Sequence, residues 1–292
     1  MITGSIVALV TPMFPDSLDV DWEALERLVE WHIEQGTHAL VAVGTTGESA
    51  TLSVDEHSRV IKATVEISKG RIPVIAGTGA NCTREAIELT ESAKKAGADA
   101  CLLVTPYYNK PTQAGLIAHF EAISDASALP IVIYNIPGRS IVDMTPETMG
   151  VLAKRDNIIG VKDATADMAR VGQQAAQCGA DFIQLSGEDE SAVAFNKQGG
   201  RGCISVVSNI VPDLCAALQN TSLDGDIATA EAMQAKLVPL IRALFCESSP
   251  SPIKYAMARL GHCAEDIRLP LLPATAATRA QVDAALAELG LI

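Results

Sequence analysis

Short apolar, β-branched runs recur along the chain at Ile6–Val10, Ala39–Val43, Pro73–Ala76, Ala100–Thr105, Ile131–Tyr134, Ile158–Lys162, Phe182–Leu185 and Cys203–Val207. Each has strand length and is followed by turn residues. Between them, apolar positions return with helical period over Trp22–Gln35, Val54–Ser68, Arg84–Lys95 and Gln113–Ser124. Strand followed by helix, repeated about eight times, is the beat of a closed parallel barrel, the (β/α)8 or TIM architecture. A weak repeat keeps the same time, with Gln-Gly-Thr-His-Ala-Leu-Val at 35–41, Ala-Gly-Ala-Asp-Ala-Cys-Leu at 96–102 and Cys-Gly-Ala-Asp-Phe-Ile at 178–183.

Local chemistry marks the helix ends. Ser53-x-x-Glu56 is a capping box, and Thr145-Pro146-Glu147 and Ser251-Pro252 each put a hydroxyl before a first-turn proline. Glycines 36, 97 and 179 close helices just before the next strand. After residue 222 the strand signal stops, and Asp224–Cys246, Pro252–Leu260 and Ala277–Leu289 read as helices. The expectation is a catalytic barrel over 1–222 and a small C-terminal helical domain over 223–292. An open doubly wound sheet is disfavoured, because no G-x-G-x-x-G turn follows the first strand and there are too many units for a small sheet.

Composition agrees. Hydrophobic residues make up 48% of the chain and aromatics only 4%, so the core must be built from aliphatic side chains, as in helices packed on parallel strands. Lys and Arg number 22 against 35 Asp and Glu, a net charge of −13 with no basic stripe, which argues against nucleic acid and anionic membranes as partners. The cysteines at 82, 101, 178, 203, 215, 246 and 263 are odd in number and form no C-x-x-C pair. A reducing compartment is expected. With no basic n-region at the N-terminus and no membrane-length apolar run, the location expected is the cytoplasm.

In such a barrel the working residues stand at the C-terminal strand ends. The sixth run ends Ile158-Ile-Gly-Val-Lys162-Asp163, and strict alternation from an inward Ile158 points Lys162 inward too. Desolvation in a confined apolar mouth favours the free amine, the species that condenses with a carbonyl to form a Schiff base. The alternative is a strand-end lysine reaching out to water. Tyr134, on the fifth run, shares a face with Val132 and can lie beside Lys162 as a proton shuttle, or simply fill the barrel. Gly44-Thr45-Thr46-Gly47-Glu48 turns tightly after the second run, a cradle for a small carboxylate or merely a capped turn. Arg139, in a Pro-Gly-Arg turn, offers a planar fork to a second carboxylate, or pairs with a surface acid. The five histidines form no H-x-H or H-E-x-x-H pattern, so no metal and no cofactor is expected.

Together, Gly44-Thr-Thr-Gly-Glu48, Thr105-Pro-Tyr-Tyr-Asn109, Tyr134-Asn-Ile-Pro-Gly-Arg-Ser140 and Gly160-Val-Lys-Asp-Ala-Thr165 resemble the pyruvate-dependent Schiff-base aldolase family, in order and over essentially the whole chain. The resemblance implies a lyase in which Lys162 forms an imine with pyruvate. Pyruvate's carboxylate would rest on Thr45 and Thr46, with Gly187 and Ile204 lining the far side. Tyr134, Thr45 and Tyr108 would relay protons, Tyr108 entering from a neighbouring subunit of a homodimer or homotetramer. The Arg139 turn matches the branch that takes L-aspartate 4-semialdehyde as acceptor, on the diaminopimelate and lysine biosynthetic route. N-acetylneuraminate lyase and sugar-acid aldolases are the alternative acceptor class, and a barrel that only binds a small acid is the non-catalytic alternative. The resemblance further implies allosteric feedback by L-lysine at Ser49, Ala50, His57, Asn81, Glu85 and Tyr107. Val54 departs from that pattern, standing where regulated enterobacterial relatives carry histidine.

Overall fold

The computed structural model describes residues 2–292; Met1, with which the expected barrel segment begins, lies outside the described residues. Its eight strands are β1 (Gly4–Ala8), β2 (Ala39–Ala42), β3 (Val74–Gly77), β4 (Ala100–Val104), β5 (Ile131–Asn135), β6 (Ile158–Asp163), β7 (Ile183–Ser186) and β8 (Gly202–Ser205). They close in chain order, all parallel, with β8 returning to β1. Each of the eight expected runs contributes one of these strands.

Closure is tightest between two glycines. Gly4 pairs with Gly202, and a Cβ built on Gly202 would stand 2.2 Å from the Gly4 carbonyl oxygen, so β1 and β8 approach as only glycine permits. The strands are buried almost throughout, with Val, Ile, Leu and Ala filling the barrel and the layer beneath the helices. Burial on both faces is why these runs read as continuous apolar segments instead of alternating ones.

The helices are α1 (Trp22–Glu34), α2 (Val54–Ser68), α3 (Thr83–Ala96), α4 (Gln113–Ala126), the single turn α5 (Pro137–Ser140), α6 (Pro146–Leu152), α7 (Ala169–Cys178), α8 (Ala192–Lys197), α9 (Pro212–Leu223), α10 (Ile227–Leu244), α11 (Ser251–Arg259) and α12 (Ala276–Glu288). The capping box of α2 is complete: Ser53 Oγ accepts from the Glu56 N–H at 3.2 Å, and the Ser53 N–H donates to Glu56 Oε2 at 2.9 Å. Thr145 caps α6 ahead of Pro146. Ser251 does not cap α11 as expected. It is the first residue of the helix, Pro250 holds the cap position, and the turn closes through the Ser251 N–H on the Ser248 carbonyl at 3.2 Å. The trailing α10 packs on α9 and α8, and its Leu237, Leu240, Ile241 and Leu244 join the same hydrophobic core as the barrel.

One irregularity bears on the site. The β5–β6 register slips at its start, Ile131 facing Ile158 but Val132 facing Gly160, before running evenly to Tyr134 opposite Lys162. Strict alternation from Ile158 therefore fails at Ile159. The orientation of Lys162 follows instead from the even stretch after the bulge.

Candidate active site

Tyr134 and Lys162 occupy the same rung of β5 and β6, and Lys162 Nζ lies 4.2 Å from the centre of the Tyr134 ring. Both side chains are buried, so Lys162 Nζ sits over the electron-rich face of the ring, shielded from water. The snorkelling alternative for this lysine is thereby disfavoured. Beyond it, Glu188 and Asp189 follow the end of β7. Burial pushes both carboxyls above their ordinary range, and the nearby Lys162 charge opposes that push. Asp189 is anchored by the N–H groups of Val206 (2.9 Å) and Val207 (3.4 Å).

The loop after β2 holds Thr45, which is exposed, and Thr46, which is buried. Its backbone is strained on either side: Val43 and Glu48 take φ values of 48° and 57°, in the left-handed region that a β-branched valine rarely enters. Packing holds the loop in that shape. Thr11 Oγ1 donates to the Gly47 carbonyl at 2.7 Å, while a Cβ on Gly47 would meet Leu9 O and Val43 Cα at 3.0 Å. Gly187 is similarly pressed, its N–H donating to Asp163 O at 2.7 Å and its missing Cβ falling 2.7 Å from that of Ala164. Ile204 is buried on β8.

Thr45 and Arg139 line one cleft of about 650 Å³ together with Ser49, Ala50, His57, Glu85 and Tyr107. Lys162 and Tyr134 lie outside that lining. Asn81 is beside it, donating from Nδ2 to the Tyr107 carbonyl at 3.2 Å. Arg139 is exposed, and among the described residues its guanidinium makes only one long hydrogen bond, from Nη2 to Ser249 O at 3.5 Å, which leaves its fork open to the cleft. Burial holds His57 at about 4, and among the described residues its Nδ1 and the Ser249 Oγ, also on the cleft, have no hydrogen-bond partner. Tyr107 is pushed up by burial and by Glu85. Tyr108 is 91% exposed and sits at φ 72°, pointing away from the protein's own packing.

Several residues around the site escape a reading by motif. Glu48 belongs to the glycine–threonine loop, but its buried ion pair with Lys254 of α11 is a tertiary fact. The only hint is a lysine on the apolar face of a helix, beside Ile253 and Met257. Arg170 and Gln174 of α7, which reach Asp163, have no sequence signal beyond helical spacing. Among the described residues no group of three or more His, Cys, Asp or Glu is arranged to hold a metal ion, and no helix is long and apolar enough to cross a membrane. All seven cysteines are free thiols.

The model of the dihydrodipicolinate synthetase family matches residues 1–289. The chain belongs to that family. It is 59% identical over 292 residues to 4-hydroxy-tetrahydrodipicolinate synthase of Rhodospirillum centenum and 58% identical to that of Cereibacter sphaeroides, each alignment covering both chains completely. Among solved structures it resembles the chloride-inhibited dihydrodipicolinate synthase of Acinetobacter baumannii complexed with pyruvate, with TM-score 0.98, 49% identity and full coverage of both chains. It also resembles the synthase of Cyanidioschyzon merolae with lysine bound, with TM-score 0.96, 36% identity and 99% of each chain covered.

Proposed function

We propose that the chain is a class I lyase, a 4-hydroxy-tetrahydrodipicolinate synthase, that condenses pyruvate with L-aspartate 4-semialdehyde through an imine on Lys162. The observation that carries this reading is the buried Lys162 Nζ held over the Tyr134 ring at the C-terminal end of adjacent barrel strands.

In this reading Lys162 Nζ, as the free amine, attacks the C2 carbonyl of pyruvate, and the carbinolamine loses water to leave the imine. Thr46 and Thr45 hold the carboxylate, with Gly187 and Ile204 bounding the opposite wall. A methyl proton leaves to give the enamine, whose carbon attacks the semialdehyde aldehyde. Tyr134 and Thr45, with Tyr108 of a second subunit, carry the protons for dehydration and for the new alkoxide. Arg139 binds the acceptor's carboxylate. The acceptor's amine then attacks the imine carbon, closing the ring and releasing Lys162.

The barrel over 1–222 carries the chemistry, and the helices of 223–292 buttress its mouth. No cofactor is needed, since the lysine imine is itself the electron sink. A shared Tyr108 calls for at least a homodimer, and a homotetramer is the assembly we favour. The unpaired His57 Nδ1 and Ser249 Oγ beside Glu85 and Tyr107 support L-lysine as an effector in the cleft, with Ser49, Ala50 and Asn81 completing its walls and Val54 weakening its hold. Lysine at millimolar concentration should slow turnover, and an unchanged rate removes this part of the reading.

The deciding experiment is borohydride reduction in the presence of pyruvate, read by mass spectrometry. The adduct is expected on Lys162 and absent from Lys162→Ala. Coupled turnover with L-aspartate 4-semialdehyde should follow. An adduct without that turnover keeps the imine and moves the acceptor to sugar-acid aldehydes; no adduct leaves a binding protein.

A further inference from the structure

Behind the Lys162–Tyr134 rung, on the opposite face of the same two strands, the next rung is Asn135 opposite Asp163. Both side chains are buried and both are tied to one cation, that of Arg170 in the first turn of α7. Arg170 Nε donates to Asp163 Oδ2 at 3.1 Å, Nη1 to Asp143 Oδ2 at 3.0 Å and Nη2 to the Met144 carbonyl at 2.5 Å. Asp143 Oδ1 in turn accepts from Asn135 Nδ2 at 2.8 Å, and Asn135 Oδ1 accepts from the Met144 N–H at 2.9 Å. Gln174 Nε2 (2.6 Å), the Thr165 N–H (2.9 Å) and Thr165 Oγ1 (2.5 Å) complete the shell of the Asp163 carboxylate.

The fork thus grips the residue after Lys162 directly and the residue after Tyr134 through Asp143. Its three nitrogens address three acceptors that belong to β6 and to the segment following β5. We infer that Arg170 is a positioning residue for the imine chemistry, fixing the height of Lys162 against Tyr134 by clamping the ends of the two strands that carry them. This rests on the assignment of Lys162 and Tyr134 made above. Two further strand-end contacts extend the clamp sideways: the Gly187 N–H donates to Asp163 O and the Ala164 N–H to Asn135 O, so the same point also fixes the far wall of the pyruvate pocket.

Geometry of this kind matters because a proton relay works only over hydrogen-bond distances, and a displacement of about 1 Å costs about a hundredfold in rate. A lysine at 170 retains the charge but places it at one point, unable to reach three acceptors together. Arg170→Lys is therefore the informative change.

The test compares Arg170→Lys with the native enzyme, counting active sites by pyruvate trapped at saturation so that misfolded protein does not enter the rate. The expected result is a kcat per trapped site lower by about a hundredfold, with KM for pyruvate within about twofold. The same substitution in a Tyr134→Phe background should cost much less, because its target is already gone. Should Arg170→Lys fail to fold, Asp143→Asn, a change at a half-exposed carboxylate, should lower kcat per site by about threefold or more, again with little change in KM. A kcat per trapped site within twofold of native in the variant that folds, or equal losses in the Tyr134→Phe background, overturns the inference. A native enzyme that traps no pyruvate on Lys162 overturns the underlying assignment, and the clamp falls with it.

Discussion

Lys254 and Glu48 form a buried ion pair that joins α11 to the loop that carries Thr45 and Thr46. Neither charge is left with a single partner: Lys254 Nζ also donates to Asp266 O at 2.6 Å, and Glu48 Oε2 accepts the Arg268 N–H at 3.2 Å. The Arg268 guanidinium continues outward to Glu56 and to the carbonyls of Leu18 and Thr51. The trailing helices are thereby fastened to the strained loop at the mouth. Breaking such a pair from one side strands a charge in the interior. Lys254→Met should cost about 3–5 kcal/mol in urea unfolding, and Lys254→Met with Glu48→Leu should recover much of it. A single variant as stable as native would show that the pair does not hold the loop.

Arg139 faces the cleft with no strong partner of its own, which suits a group that waits for a carboxylate. A charge-assisted bidentate contact contributes about 2–3 kcal/mol, so Arg139→Ala should lower kcat/KM for L-aspartate 4-semialdehyde by about 30-fold to 160-fold. Trapping of pyruvate on Lys162 should survive, since that step precedes the acceptor. Unchanged kinetics for the semialdehyde would move acceptor recognition elsewhere in the cleft.

How far the sequence discloses this site depends on the range of the interactions involved. That Lys162 and Tyr134 stand at the ends of barrel strands is legible because a polar residue closing an apolar run is a local signal, whereas the choice between turning inward and reaching out to water is made by the neighbouring strand. Even there the argument from Ile158 skips a bulge, since register is a property of two strands and one strand does not display it. Ser53 and Glu56 are legible because the capping box is local, whereas Ser251, read from the proline that follows it, lies one residue too late to cap. The burial of Lys254 and the grip of Arg170 arise from partners brought together only by closure of the barrel, and no pattern within α11 or α7 encodes them.

Tyr108 is almost fully exposed on a residue in the left-handed region, an unfavourable position for an aromatic ring that serves only its own chain. If it completes a neighbour's relay, two inactive chains can repair one another. Tyr108→Phe and Lys162→Ala, each nearly inactive alone, should regain activity when unfolded and refolded together, because a mixed pair contains one site with both Lys162 and Tyr108. Activity no greater than the sum of the separate variants would confine the relay to a single subunit.

Three histidines make stability depend on acid. Burial holds His32 at about 3, with the nearby His262 adding to the effect, and holds His57 and His119 at about 4. His32 is completely enclosed, its Nδ1 3.0 Å from Thr37 Oγ1, and the His262 ring stacks on Trp31 at 4.1 Å. Their unfolded counterparts titrate near 6.5, so as pH falls the unfolded chain takes up protons first. The stabilisation is complete above pH 6.5 and drains away between there and pH 3–4. For His32 alone the loss between pH 6.5 and 5 is about 2 kcal/mol. Glu56, held at about 2 chiefly by Arg268, adds a further loss that begins only below its ordinary value of 4.5. Glu188 and Asp189 run the other way, because burial raises them and protonation relieves their cost. As pH falls the folded chain therefore takes up these two protons before the unfolded chain does, which offsets part of the histidine loss. In urea unfolding at pH 7, 6 and 5 the free energy of His32→Gln should fall less steeply than that of the native protein, by about one proton. Equal slopes in the two proteins would mean that the His32 ring finds a proton, or water, in the folded state.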